Sequence, residues 1–167
     1  SFIKITGAGY LATIINCNTP TGKVITGIDS AEIYGLTING ASGVGGTGVY
    51  LEGKGLNTPF IVNQCIFGNN TTLIHVYGNA YPATCMLNAC LMGGAYNSST
   101  GFFVDNIGGQ TTTLLIYDCV LQDLVAPVPG TVALVNGTNC LISMSNSIIK
   151  LDNANNSTAL TVRGGAE

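Results

Sequence analysis

The chain repeats one phrase five times, and its first copy is Ile33-Tyr34-Gly35-Leu36-Thr37-Ile38. Each copy reads as an apolar strand that holds a small or polar residue near its centre. The later copies are Val62-Asn63-Gln64-Cys65-Ile66-Phe67, Leu87-Asn88-Ala89-Cys90-Leu91-Met92, Ile116-Tyr117-Asp118-Cys119-Val120-Leu121 and Met144-Ser145-Asn146-Ser147-Ile148-Ile149. The anchor positions are 29, 25, 29 and 28 residues apart, at Leu36, Cys65, Cys90, Cys119 and Ser147. A repeat of this length is typical of stacked structural units.

A second phrase recurs with the same period, an alternating strand that closes on Gly or Asn. Its copies occupy residues 49–53, 74–78, 102–106, 133–137 and 160–164. Because side chains alternate faces along a strand, the first and third residues of each copy are predicted to point inward and form an apolar ladder. The closing residue, such as Gly53 or Asn106, is predicted to take the left-handed backbone conformation that turns a corner.

The two registers together predict an all-β fold, a single-stranded right-handed parallel β-helix of about six coils with few or no helices. The loops between the phrases are rich in Gly, Asn and Thr and show no pattern for a crossover helix, and right-handedness is the usual hand of parallel crossovers. The first coil is less regular: residues 3–7 have the form of a closing strand, residues 12–17 that of a short first strand and residues 23–27 that of another closing strand. We expect one domain over residues 1–167, a section of a longer or processed chain.

Composition narrows the classes of function. Charged residues make up 8% of the chain, against about 25% in an average soluble domain, so we expect part of the surface to lie against other chains. A net charge of -3 with five scattered cations predicts no nucleic-acid binding. The most apolar stretch, residues 114–135, contains acidic residues and prolines in frame with the repeat. It therefore predicts no membrane span.

The six cysteines are interpreted as reduced thiols. Cys65, Cys90 and Cys119 occupy one position in successive repeats, where small buried side chains would stack. Such a stack suits a protein assembled in a reducing cytoplasm, including a virion component made there. We therefore expect a virion or extracellular location after assembly in the cytoplasm.

Several phrases resemble those of the pectin-lyase-like right-handed parallel β-helices. They are Ile3-Lys4-Ile5-Thr6-Gly7-Ala8-Gly9, Ala31-Glu32-Ile33-Tyr34-Gly35-Leu36-Thr37-Ile38 and Val62-Asn63-Gln64-Cys65-Ile66-Phe67. The resemblance implies a group that includes polysaccharide lyases and hydrolases, phage tailspikes and viral fibre or capsid-associated proteins. The catalytic phrases of its polygalacturonase-like members do not occur in the sequence, and no acidic pair resembles a calcium loop.

The outward positions of the closing strands form the only candidate site. They predict two columns, Tyr50, His75, Phe103, Leu134, Thr161 and Glu52, Tyr77, Asp105, Asn136, Arg163. Glu52, Asp105 and His75 are the candidate catalytic residues. The backbones of Glu52 and Asp105, two coils apart, would be about 9.6 Å from each other, near the spacing of an inverting glycosidase pair. His75 is a candidate general base. The candidate ligand-binding residues are Tyr50, Tyr77, Phe103 and Arg163. The alternative is a solvated or subunit-facing sheet without chemistry.

Two functions follow as expectations. The first is a structural module of a virion spike, fibre or capsid-associated protein, packed as a homo-oligomer, with a trimer favoured, or against other virion proteins, and contributing to host-surface attachment. The second is a β-helix that binds or cleaves polysaccharide, such as a cell-surface glycan, through its outward face. No metal or cofactor is expected, because His75 has no Cys or His neighbour at ligand spacing. The two columns also show no threonine ladder of the kind that ice binding needs.

Overall fold

The computed structural model describes residues 3–56, 58–92, 100–121, 131–149 and 158–163. These residues form eighteen strands and no helix. Sheet A contains β1 Ile3–Thr6, β4 Ala31–Tyr34, β7 Phe60–Asn63, β10 Ala83–Asn88, β13 Thr112–Tyr117 and β16 Cys140–Ser145. Sheet B contains β2 Ile14–Asn16, β5 Thr37–Asn39, β8 Ile66–Gly68, β11 Leu91–Met92, β14 Val120–Leu121 and β17 Ile148–Ile149. Sheet C contains β3 Lys23–Gly27, β6 Thr47–Glu52, β9 Thr72–Gly78, β12 Thr100–Asn106, β15 Thr131–Asn136 and β18 Thr158–Arg163.

The strands form a parallel β-solenoid. In the described residues, successive triplets of strands make six coils, and each strand pairs in parallel with the strand three places further along the chain. The prediction of an all-β solenoid of about six coils is confirmed. The right-handed sense remains a prediction.

The interior consists of the inward columns that the alternation predicts. In sheet C, the pairs Val49/Leu51, Ile74/Val76, Phe102/Val104 and Ala133/Val135 are all buried. The side chains of Leu160 and Val162 lie outside the described part. Three aromatic rings, those of Phe60, Phe67 and Phe102, fill the space between the sheets. Each coil therefore buries its apolar face against its neighbours, as expected of a solenoid.

The first phrase of each repeat is not one strand, as predicted, but two strands that meet at a corner. Gly35, Gln64, Ala89, Asp118 and Asn146 have φ between 49° and 66°, and each stands between a strand of sheet A and a strand of sheet B. The left-handed backbone turns the chain from one sheet to the next. The solenoid therefore has three faces rather than two.

The glycines that close sheet C do not have the predicted left-handed conformation, with one exception. Gly27, Gly53 and Gly78 do not have positive φ, and of the described closing residues only Gly137 does. A Cβ at Gly27 would lie 2.9 Å from the ring of Phe60, and one at Gly53 would collide with the Pro82 carbonyl. These glycines are required by the close approach of the next coil rather than by a left-handed turn. Gly164 lies outside the described residues.

The strands of the first coil also differ from the prediction. Ile3–Thr6 pairs with Ala31–Tyr34, so it belongs to sheet A and is not a closing strand. Ile14–Asn16 belongs to sheet B and Lys23–Gly27 to sheet C. The first coil thus has the same three strands as the later coils. Residues 3–7 resemble a closing strand because alternating apolar residues before a glycine occur in strands of sheet A as well as in strands of sheet C.

The cysteines form the stack that the spacing predicts. All six lie in the described part of the chain and are free thiols, and every one except Cys17 is buried. Cys65, Cys90 and Cys119 follow the left-handed corners in successive coils. The Cys90 N–H donates to Cys119 Sγ at 3.4 Å, and the Cys119 N–H donates to Ser147 Oγ at 3.1 Å. These two bonds link the last three corners of the column.

A threonine column does exist, at a position that the two predicted columns do not include. The register aligns Thr47, Thr72, Thr100, Thr131 and Thr158 at the start of sheet C. Thr47 shares the inward parity of Val49 and is buried. Thr72 and Thr100 are half-buried, so the three described side chains of this column lie at the edge of the core.

Candidate functional site

The outward face of sheet C brings the predicted site residues together in the predicted columns. Tyr50 pairs with His75, and His75 with Phe103. Glu52 pairs with Tyr77, and Tyr77 with Asp105. Cross-strand neighbours on one face lie within side-chain contact distance. We call Tyr50, Glu52, His75, Tyr77, Phe103 and Asp105 the aromatic face.

Four rings cover the centre of the aromatic face. His75 stacks on Phe103 with 4.5 Å between ring centroids and 22° between planes, and it meets Tyr50 edge-on at 5.0 Å. Tyr77 lies 6.4 Å from Tyr50 and 6.2 Å from His75. These separations fall in the range of favourable aromatic pairs. The rings hold one another in place across three successive coils.

His75 and Asp105 form a hydrogen-bonded pair. His75 Nε2 is 2.8 Å from Asp105 Oδ1, and about a fifth of each side chain is exposed. Such a pair orients an imidazole and fixes which ring nitrogen carries its proton. A nucleophile beside the second ring nitrogen would be needed for covalent catalysis. The contacts described for His75 include no Ser or Cys side chain.

Glu52 is held by two partners that sequence reasoning missed. Asn79 Nδ2 donates to Glu52 Oε1 at 3.1 Å, and Lys54 Nζ lies 3.1 Å from Oε2. The hydrogen bond from Asn79, followed by that from Lys54, lowers the pKa of the Glu52 carboxyl. A glycosidase acid needs a raised pKa in order to donate a proton near neutral pH. Glu52 is therefore ill suited to be the acid of an inverting pair, although it does stand two strands from Asp105.

Lys23 adds a positive charge that sequence reasoning treated as one of five scattered cations. Its Nζ lies 3.0 Å from the centroid of the Tyr50 ring, a cation–π contact. Burial lowers the pKa of Lys23, whereas the charge of Glu52 acts in the opposite direction. Burial, followed by the charge of Glu52, raises the pKa of Tyr50. Lys23 precedes the aromatic columns by one coil, and a diagonal contact of this kind is not readable from the repeat alone.

Arg163 stands at the far end of the second column. The register runs from Asp105 through Asn136 to Arg163, so its backbone lies two strands from that of Asp105. The Arg163 side chain lies outside the described part of the chain. Its assignment as a ligand-binding residue therefore remains a prediction.

Side-chain hydrogen bonds also join successive coils at sheets A and B. Tyr34 donates to Gln64 at 2.6 Å, Asn39 to Asn16 at 3.1 Å and Asn88 to Asn63 at 3.3 Å.

Within the described ranges, no group of three or more His, Cys, Asp or Glu side chains could hold a metal ion. No helix found there is long and apolar enough to cross a membrane.

Comparisons with protein-family models, curated proteins and solved structures find no match to this chain. The architecture is therefore described as a parallel β-solenoid without assignment to a family. Its outward faces carry the residues from which a function can be inferred.

Proposed function

We propose that the chain is a structural β-solenoid module of a larger assembly, of the kind found in virion spikes, fibres or capsid-associated proteins. The observation that carries this proposal is the regular stacking of the coils. In the described residues the strands form three parallel six-stranded sheets, and the inward side chains of the interior coils make one continuous buried core. A rod in which each coil packs only on its neighbours is an extended scaffold.

Two further features support a scaffold. The polar groups of the aromatic face bond to one another: Asp105 to His75, and Glu52 to Lys54 and Asn79. The low content of charged residues leaves few groups to keep the sides of the rod solvated. The virion setting is supported by the resemblance of the repeat phrases to those of tailspike and fibre β-helices, and a homo-oligomer, such as a trimer, fits it.

The association state of the purified protein tests this proposal. Sedimentation across a range of concentrations should show species larger than one chain, with the larger species favoured at higher concentration. A protein that stays monomeric at every concentration, with terminal strands as protected from hydrogen exchange as the interior, would contradict it.

A second candidate function is polysaccharide binding by the aromatic face. Half-buried rings of Tyr50, His75, Tyr77 and Phe103 beside a carboxylate offer both stacking surface and hydrogen-bond acceptors. A glycan array, followed by a reducing-sugar assay on any ligand found, separates binding from cleavage. Tyr77→Ala and Asp105→Asn should abolish binding, while Tyr117→Ala, on sheet A, should not. Binding unchanged by both substitutions would remove this candidate.

A further inference from the structure

Exposed apolar side chains line one long edge of the solenoid, where the chain passes from sheet C to sheet A. Leu56 is 53% exposed, Tyr81 is 50% exposed and Ile107 is 64% exposed. They lie at three successive junctions between interior strands, β6 to β7, β9 to β10 and β12 to β13. We call these three side chains the edge ridge. Single exposed apolar residues are common on protein surfaces, but a row of them on one edge is typical of an interaction surface.

A buried carboxylate fixes the loop that carries Leu56. Asp29 is 2% exposed, and its Oδ2 accepts hydrogen bonds from the Lys54 N–H at 2.8 Å and the Leu56 N–H at 3.2 Å. Burial of a carboxylate is unfavourable unless it is hydrogen-bonded. The two bonds satisfy Asp29 and hold the Leu56 loop against the preceding coil, while the Leu56 side chain stays in solvent.

The other two members of the edge ridge are also held in place. The Tyr81 ring lies against the backbone of Gly55, where an added Cβ would be 2.9 Å from the ring. The Ile107 N–H donates to the Gly78 carbonyl at 2.8 Å, which ties its junction to the preceding coil. A surface that is ordered before binding loses less conformational entropy on association. The edge ridge is therefore preformed for a partner.

Lys54 is the only charged residue in the three junctions, residues 53–56, 79–82 and 107–111. Its side chain is half exposed, and its Nζ lies 3.1 Å from Glu52 Oε2. An ammonium group has three donors, so this contact leaves Lys54 able to pair with a further acceptor. On the sheet C side of the same edge, Asp105 stands two strands further along the rod than Glu52. The ridge therefore has a basic group at the level of Leu56 and an acidic group at the level of Ile107.

We propose that the edge ridge binds the edge ridge of a second copy of the chain, in a two-fold dimer whose rods run antiparallel. This inference rests on the proposed structural function and names its partner. A two-fold axis at Tyr81 brings the two Tyr81 rings together and places Leu56 of each copy against Ile107 of the other. Because the coils share one spacing of about 4.8 Å, apolar groups meet at all three levels.

The two charges favour antiparallel rods. A two-fold axis perpendicular to the rods keeps the sheet C sides of both copies on the same side of the contact. Lys54 of each copy then comes level with Asp105 of the other copy, which has the opposite charge. With parallel rods, the two sheet C sides would lie on opposite sides of the contact, and these two residues would stay apart. A two-fold contact is also closed, so it yields a dimer rather than a growing filament.

A charge placed on the edge ridge tests the contact. Leu56→Glu and Tyr81→Glu each put a carboxylate into the apolar contact, where an unpaired charge is unfavourable. Each variant should sediment as one chain at concentrations at which wild type is a dimer. Val44→Glu is the matched control, because Val44 is 93% exposed in the loop between sheets B and C; this variant should dimerise as wild type does. Circular dichroism establishes that the variants are folded, and either ridge variant tests the contact without the other.

Disulfide crosslinking tests the antiparallel register. Leu56→Cys and Ile107→Cys are made in a Cys17→Ser background, since Cys17 is the one cysteine of the six that is not buried. An oxidised mixture of the two variants should form a crosslinked heterodimer, because Leu56 and Ile107 face each other across the contact. Neither variant alone should crosslink to itself.

The outcomes separate this inference from the function on which it rests. If both Glu variants associate as wild type does, the contact lies elsewhere on the rod. If Leu56→Cys crosslinks to itself, or if wild type is a trimer, the contact is not an antiparallel pair. Each of these results overturns the proposed dimer while the structural function stands. If wild type is monomeric at every concentration, no second copy occupies the edge ridge, and both proposals fail.

Discussion

Ile5 and Ile33 lie in the same inward column, one coil apart, and differ in the number of described coils that pack against them. Ile33 is enclosed by coils on both sides, while Ile5 has a coil on one side. The interior coils enclose their apolar side chains between two neighbouring coils. The first coil carries side chains of the same type, but it contacts a described coil on one side only. The difference shows that burial in this fold is supplied by the neighbouring coil rather than by the coil itself.

Truncation at the two positions should separate the interior from the end most strongly. Ile33→Ala should lower the free energy of unfolding by about 2–5 kcal/mol, because it leaves a cavity in a closed core. Ile5→Ala should cost the non-associated chain less than about 1 kcal/mol, since half of that side chain is already in solvent. Urea unfolding at low protein concentration measures both. Equal losses of unfolding free energy at the two positions would show that the first coil is as tightly packed as the interior coils.

The corner column gives the next largest effect. Cys119→Ala removes the acceptor of the Cys90 N–H and the donor to the Tyr117 carbonyl. A buried donor left unpaired costs about 1–3 kcal/mol. Cys119→Ser keeps both bonds, as Ser147 does naturally in the next coil, and should cost at most about 1 kcal/mol. Urea unfolding of the two variants should rank Ala below Ser; the reverse order would show that the corner is held by packing and not by these bonds.

Buried thiols predict a loss of stability at alkaline pH. Burial raises the pKa of the Cys85 thiol above the ordinary value of 9.0. The folded chain therefore keeps a proton that the unfolded chain releases, so the stabilisation is full below pH 9.0 and falls as pH rises above it. Each such thiol contributes a slope of about 1.4 kcal/mol per pH unit.

Cys85→Ala is the matched variant for this effect. Its free energy of unfolding should fall less steeply than that of wild type above pH 9.0, by one thiol's share of the slope. Urea unfolding at a series of pH values measures the difference. Parallel pH profiles for the two proteins would mean that Cys85 titrates in the folded state as it does in the unfolded state.

The left-handed corners give the smallest effect. Ala89 has φ of 51°, a conformation that costs a non-glycine residue about 1–2 kcal/mol. Ala89→Gly removes this strain but adds freedom to the unfolded chain, so the net gain should be about 0.5 kcal/mol. Gly35→Ala, at the equivalent corner, should destabilise, although a Cβ there would have room. Thermal melting compares the two, and a loss of stability in Ala89→Gly would show that this corner is not strained.

The repeat predicted the columns well because alternation in a strand leaves little freedom. Once Val49 and Leu51 are inward, Tyr50 and Glu52 must be outward, and the same period carries the assignment to Asp105. The number of faces was not predictable in this way. The corners hold Gly, Gln, Ala, Asp and Asn, which share a backbone conformation and no side-chain property. A pattern of residue types therefore could not reveal them.

The residues of the candidate site could be predicted from the sequence, but the contacts that set the pKa of Glu52 could not. The stacking of His75 on Phe103 follows from their shared column. The contacts that set the pKa of Glu52 come from Asn79 and Lys54, which lie in loops of two different coils. Loop positions do not follow the strand period, so their contacts depend on the three-dimensional path of the chain.

Hydrogen exchange followed as a function of protein concentration tests the central claim, that the chain is a module of a larger assembly, most directly. Below the association range, exchange should be slowest in the paired interior strands β6, β9 and β12. As copies associate, protection should rise at the surface strands that the contact covers. Protection that is the same in every strand at every concentration would contradict the account.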